Sequence, residues 1–183
     1  MEFYFDIKLT GTSEKPINRL VNAIYTKFHN TLCDMKATDI GVSFPAQKVL
    51  LGNIIRIHAA QHTLAALQEL GWPGVESGHC QVSSIHAIPE RCKHRTISRK
   101  QANMSPSKLK RLLTRGSITQ QEAKHYKATM FSKGLLHPYV ELISGSSGNK
   151  YRRYIEFGEL QDVPVSGVFD QFGLSKTATV PWF

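Results

Sequence analysis

Five groups of residues in this 183-residue chain have types and spacings that could do chemistry. His29 follows Phe28 in the last turns of an apolar-periodic segment. A helix C-terminus favours the imidazolium by about 0.3–1 kcal/mol, so His29 is either a proton carrier or a partly exposed histidine capping carbonyls. Ser144-Gly145-Ser146-Ser147-Gly148 offers hydroxyls and approachable backbone N–H groups, which make either a phosphate cradle or an ordinary turn. In Ser98-Arg99-Lys100-Gln101, an extended backbone points Arg99 and Gln101 the same way. Arginine suits the O6/N7 edge of guanine and glutamine the adenine edge, although Arg-x-Gln is a common tripeptide. Lys108, Arg111 and Arg115 fall at i, i+3 and i+7 with Lys110 beside them, a ridge that can track phosphates. Tyr151 stands among Lys150, Arg152 and Arg153, as a base-stacking ring or as a core tyrosine. His58 and His62 straddle a strand-to-helix junction with no neighbouring Cys or acid, so no metal site is read there. No carboxylate cluster suggests a two-metal nuclease.

The charge is segregated. Lys+Arg number 23 against 14 Asp+Glu, a net charge of +9. Residues 91–115 hold Arg91, Lys93, Arg95, Arg99, Lys100, Lys108, Lys110, Arg111 and Arg115 and no acid, so the whole excess belongs to that stretch. Cations this dense repel one another, and a polyanionic partner relieves the repulsion while releasing counterions. Nucleic acid is the partner implied. An anionic membrane fits less well, because the segment lacks a broad apolar face with Trp or Phe. Cys33, Cys80 and Cys92 are odd in number and form no close-spaced pair, which argues against a disulfide framework or a structural zinc site. The first residues lack the pattern of a signal peptide, and no apolar run reaches the length of a membrane span. A cytoplasmic protein without metal or small-molecule cofactor is expected.

The elements that must position these residues can be read from periodicity. Phe3, Phe5, Ile7 and Leu9 alternate with polar neighbours, as in a half-buried strand. Pro16 opens a helix whose stripe is Ile17, Leu20, Val21, Ile24, Phe28 and Leu32. Strands are predicted over 40–44 and 53–58, a short helix over 64–70, and one strand over 79–88. Strand, helix, strand, strand, helix, strand is the βαββαβ order of a ferredoxin-like (RRM-like) domain, placed at residues 1–89 of an α+β chain. The strand over 53–58 has no aromatic, so the sheet reads as scaffold rather than as an RRM base-stacking surface. Residues 90–183 form a more irregular region: an extended 96–98, a basic helix over 106–114, a short helix capped by Thr119 and Glu122, and a hairpin over 139–143 and 151–157. Trp182 and Phe183 at the end suggest a docked tail.

Gly41-Val42-Ser43-Phe44-Pro45, Ser98-Arg99-Lys100-Gln101-Ala102, and Gly173-Leu174-Ser175-Lys176 ending in Val180-Pro181-Trp182-Phe183 together resemble the CRISPR-associated repeat-processing endoribonuclease of type I-F systems. The resemblance runs end to end. It implies an enzyme that binds the repeat hairpin of a CRISPR precursor transcript and cuts at the 3′ base of its stem. It further implies that the enzyme stays on the mature product as a subunit of the type I-F interference complex. His29 and Ser144 correspond to its catalytic pair, Arg99 and Gln101 to its readers of the stem base, and Tyr151 to its stacking aromatic. Lys108, Lys110, Arg111 and Arg115 correspond to its major-groove helix; Ser146 and Ser147, in the same loop as Ser144, are expected to contact the RNA. Leu112 and Gly116 stand where further arginines are expected, and Phe172 where a tyrosine is expected.

The chemistry implied is metal-free transesterification, in which the ribose 2′-OH attacks the adjacent phosphorus and leaves a 2′,3′-cyclic phosphate. Two other classes compete: a non-catalytic subunit that only holds RNA hairpins, and a DNA-binding transcription factor. The last lacks any helix-turn-helix or dimerisation signal.

Overall fold

The computed structural model describes residues 1–71, 78–101, 106–134, 137–143 and 148–183, without the side chains of 106–107 and 130–134. The fold is mixed α+β, with antiparallel sheets. In β1 (Phe3–Leu9), Phe5, Ile7 and Leu9 are buried and alternate with polar residues. β1 pairs with β3 (Ile54–Ala59), which pairs with β2 (Gly41–Ser43). On its other edge β1 pairs with β4 (Cys80–Val82) and β5 (His86–Ala87). The order is therefore β2-β3-β1-β4, with α1 (Ile17–Met35) leading from β1 to β2 and α2 (Gln61–Glu69) from β3 to β4.

The strand predicted over 79–88 is thus two pieces. Between them the Ser83 hydroxyl accepts from Asp6 N–H at 2.9 Å while Ser83 N–H donates to the Asp6 carbonyl at 2.9 Å. One side chain here takes the place of a ladder partner and ends the regular pairing. α2 begins three residues ahead of its first apolar residue, because its opening turn is polar.

In the second half, β6 (Lys93–Arg95) pairs with β10 (Val180–Trp182), a strand pair that the sequence reading did not predict. β7 (Ile97–Lys100), β9 (Lys150–Phe157) and β8 (Tyr139–Ile143) form a three-stranded sheet in the order β7-β9-β8. Between β7 and β8 lie α3 (Pro106–Thr114) and α4 (Gln120–Gly134). Thr119 and Glu122 form the reciprocal capping box at the start of α4, and α4 is longer than its sequence pattern indicated. Gly116 (φ 65°) ends α3, with its N–H on the Leu113 carbonyl and that of Ser117 on Leu112. The glycine that replaces an expected arginine is thus a helix terminator.

α1 packs against both β1 and β8, so residues from both halves of the chain share one core. Tyr25, Phe28 and Leu32 on α1 are fully buried, each contributing about 1.5–3 kcal/mol by burial. Asn22 Oδ1, on the same helix, accepts from Glu141 N–H of β8 at 2.9 Å. The tail is docked: Phe183 packs edge-on against Tyr4 at 4.9 Å and under the Arg56 guanidinium at 4.1 Å.

Candidate active site and nucleic-acid interface

His29 is held by a strap, residues 170–175. Asp170 Oδ1 accepts from Phe172 and Leu174 N–H at 2.8 and 3.0 Å, and Gly173 N–H returns to the Asp170 carbonyl. Gly173 has φ 68°, and a Cβ there would lie 3.1 Å from the Phe28 ring, so only glycine fits. Val42 N–H of β2 donates to the Gly173 carbonyl, and Ser175 N–H donates to Ile97 of β7. The strap is thereby tied to both halves of the fold. Its Gly-Leu-Ser sequence is a turn chemistry that delivers Gln171 and Phe172 to α1.

There, His29 Nδ1 lies 2.7 Å from the Gln171 carbonyl oxygen. A carbonyl can only accept, so Nδ1 carries a proton, and in the neutral tautomer that this bond selects Nε2 is the acceptor. The imidazole lies flat on the Phe172 ring, with centroids 3.6 Å apart and planes inclined by 12°. Tyr25 O–H donates to the Phe172 carbonyl at 2.7 Å. Burial first, and Asp170 second, hold the Tyr25 hydroxyl well above its ordinary range, which keeps it a donor. Cys33, one turn past His29, has its Sγ 3.6 Å from Nδ1 and donates to Gln171 Oε1 at 3.4 Å. Burial pushes the Cys33 thiol up, so it is a neutral neighbour and not a thiolate. Phe172, in place of the expected tyrosine, offers a face rather than a hydroxyl.

β9 places Tyr151 and Arg153 on one face of the sheet, and Arg153 reaches the Phe172 ring with its guanidinium carbon 3.4 Å from the centroid. Register puts Arg99, opposite Ile155, on that same face. Tyr151 is half-buried against the core, whereas Arg99 and Gln101 are exposed, with Gln101 just beyond the end of β7. The fold therefore brings His29, Tyr151 and Arg99 to one side of the β7-β9-β8 sheet. Lys108, Lys110, Arg111 and Arg115 are exposed, the first three on α3 and Arg115 just past its end. Leu112, at an expected arginine position, is half-buried instead. Ser144, Ser146 and Ser147 lie outside the described residues.

Part of the basic stretch is engaged by the chain's own groups. Lys93 pairs with Asp162 and Lys100 with Glu156. Arg95 donates twice to the Gly158 carbonyl and lies over Trp182 at 4.7 Å, an internal strut. The sequence reading also passed over Gln171, Cys33 and Arg153. Cys33 was detectable as i+4 from His29, and Arg153 as a cation at the core-facing parity of its strand. Gln171 acts through its carbonyl and has no sequence signature. Another Ser–His pair, Ser43 Oγ and His58 Nε2 at 2.8 Å, is sealed in the core with both residues within 1% exposure. It cannot meet a polymer substrate.

A family model described as CRISPR-associated protein (Cas_Csy4) matches residues 4–183. The chain is 33% identical over 184 residues to the CRISPR-associated endonuclease Cas6/Csy4 of Escherichia coli (strain UTI89 / UPEC), covering all of both chains. It is 34% identical over 187 residues to the protein of the same name in Pseudomonas aeruginosa (strain UCBPP-PA14), again over the full length of each. Among solved structures, CRISPR endoribonuclease Cse3 bound to a 19-nt RNA aligns over 98% of this chain and 100% of that one. Its TM-score is 0.42 and its identity 11%, a likeness that carries no weight for the site. With nearly every residue inside one family model and two full-length relatives at about one-third identity, the chain belongs to the CRISPR-associated Csy4 family.

Proposed function

We propose that this chain is a metal-independent endoribonuclease that binds the stem-loop of a CRISPR repeat and cuts the precursor at the 3′ base of the stem. It then stays on the mature RNA in the cytoplasm as a subunit of the type I-F interference complex. The observation that carries the reading is His29: its Nδ1 proton is fixed on the Gln171 carbonyl, leaving Nε2 as an acceptor, in a chain that matches the Csy4 family end to end. Residues 1–89 serve as a ferredoxin-like scaffold and residues 90–183 as the RNA-recognition region.

In this reading His29 Nε2 takes the proton of the ribose 2′-OH. The 2′ oxygen attacks the adjacent phosphorus, the P–O5′ bond breaks, and the departing 5′ oxygen takes up a proton from the His29 imidazolium or from water, so the products end in a 2′,3′-cyclic phosphate and a 5′-OH. The nucleophile belongs to the RNA, so the protein supplies proton transfer and alignment. Ser144 holds the 2′-hydroxyl toward the phosphate, with Ser146 and Ser147 on the backbone beside it. Tyr151 stacks under the last base pair, and Lys108, Lys110, Arg111 and Arg115 follow the stem phosphates. Because Gly116 ends α3 early, fewer cations reach the groove and the salt dependence of binding is shallower than a longer arginine helix would give.

The test is the chemistry of the ends. Cleavage of a repeat hairpin continues in excess EDTA, and the upstream product carries a cyclic phosphate. A 3′-hydroxyl product, or loss of activity in EDTA, overturns the mechanism, and binding without any cleavage leaves a hairpin-holding subunit. Arg99→Ala and Gln101→Ala each weaken binding by about 1–3 kcal/mol, and only for RNAs that keep the matching stem-base pair. Affinity measured on a panel of stem-base variants checks this, since an equal loss on all of them makes the two side chains phosphate contacts.

A further inference from the structure

We propose that Arg153 is a positioning residue for cleavage, orienting His29 through the Phe172 ring; the proposal rests on the reading of His29 as proton acceptor. Arg153 is 8% exposed, and its Nε is buried without a hydrogen-bond partner among the described residues. It forms no ion pair among them either. On the same face of the sheet its register partner Val140 and Ile155, two residues on, are buried and apolar, while Tyr151 lies two residues before it. A buried cation without a counter-charge destabilises a fold, and a well-packed apolar side chain in its place is often neutral or stabilising. Among the described residues, nothing in the packing of the sheet accounts for the arginine.

The stack does. The guanidinium carbon lies 3.4 Å from the centroid of Phe172, and His29 lies 3.6 Å from the same centroid, nearly parallel. The backbone of Phe172 is fixed by Tyr25 and Asp170, but those bonds leave the ring free to turn. Contacts on its faces orient it, by cation–π attraction on the Arg153 side. The imidazole has the complementary need. Its bond to Gln171 fixes one point, about which the ring can still swing. The flat contact with Phe172 removes that swing and so sets the direction of Nε2. Misplacing a reacting group by about 1 Å can lower a rate by about 100-fold.

The experiment compares the full-length wild type with Arg153→Leu, Arg153→Lys and His29→Ala. Single-turnover cleavage and affinity for a repeat hairpin are measured beside the melting temperature and the NMR signals of the His29 ring protons. Arg153→Leu keeps its melting temperature and RNA affinity but cleaves roughly 10- to 100-fold more slowly. In the same variant, the upfield displacement that Phe172 imposes on the His29 ring protons is lost. Arg153→Lys recovers part of both. Unmoved ring signals, wild-type cleavage despite moved signals, or a large fall in melting temperature each overturns the proposal. If His29→Ala still cleaves at full rate, the catalytic reading itself fails. That is distinct from a dead His29→Ala beside an active Arg153→Leu, which sinks only the positioning role.

Discussion

His29→Ala slows cleavage of the repeat hairpin by about 10²–10⁴-fold, the usual contribution of a positioned general base, while affinity for the same RNA is nearly unchanged. The two effects separate because His29 is half-buried under a turn and holds no phosphate-tracking position, whereas the exposed cations stand on other elements. An RNA with one 2′-deoxyribose at the cut gives the same result from the substrate side: it binds and stays whole. The pair is more informative than either alone. If the deoxy RNA is cut, the nucleophile is not the ribose hydroxyl, and no role for His29 Nε2 follows. If the deoxy RNA survives but His29→Ala cuts at full speed, the hydroxyl attacks without this imidazole. Gel-resolved single-turnover rates with equilibrium binding on the same RNAs check both.

Much of the scaffold was legible because each element carries its own period. The alternation over Phe3–Leu9, the stripe from Ile17 to Leu32 and the capping box at Thr119 are local signals, and the structure has a strand, a helix and a helix start there. Non-local features left fainter marks. β6 is three residues long and exists because the C-terminal strand pairs with it from across the chain. The division of the 79–88 stretch depends on Ser83 binding Asp6, 77 residues away. The same contrast governs the site. His29 was found by resemblance; its expected place at a helix end is corrected by the structure, since α1 runs on to Met35, well past it. What fixes it, a main-chain carbonyl and an aromatic face from residues 171 and 172, is a matter of where a turn lands. Arg153 was visible only as one of a run of cations with Lys150 and Arg152. Strand parity separates it from them, since the neighbouring exposed pair shares Glu141 on the outer face.

Acid weakens the fold through His58. Burial chiefly, with Arg56 adding, lowers its pKa from the ordinary 6.5 to about 3. The folded state thus keeps the ring neutral down to that value, while the unfolded chain takes up a proton below pH 6.5. Where the unfolded state binds more protons, stability falls as pH falls, by about 1.4 kcal/mol per pH unit for one proton. Between pH 6 and 4 this amounts to roughly 2–3 kcal/mol, a large share of the 5–15 kcal/mol typical of a domain. The stabilisation is fully present above pH 6.5. The consequence reaches the site, because Ser43, the partner of His58, is the last residue of β2, and Val42 beside it holds the Gly173 carbonyl of the strap. Loss of the β2–β3 pairing releases the segment that presents Gln171 and Phe172 to His29. Urea midpoints at pH 7, 6, 5 and 4 check this against His58→Gln, whose amide can still meet the Ser43 hydroxyl but does not titrate. His58→Gln loses less stability than the wild type across that range, in proportion to the missing proton. Parallel curves for the two proteins would assign the acid sensitivity to other groups, and His58 would then be a packing residue only.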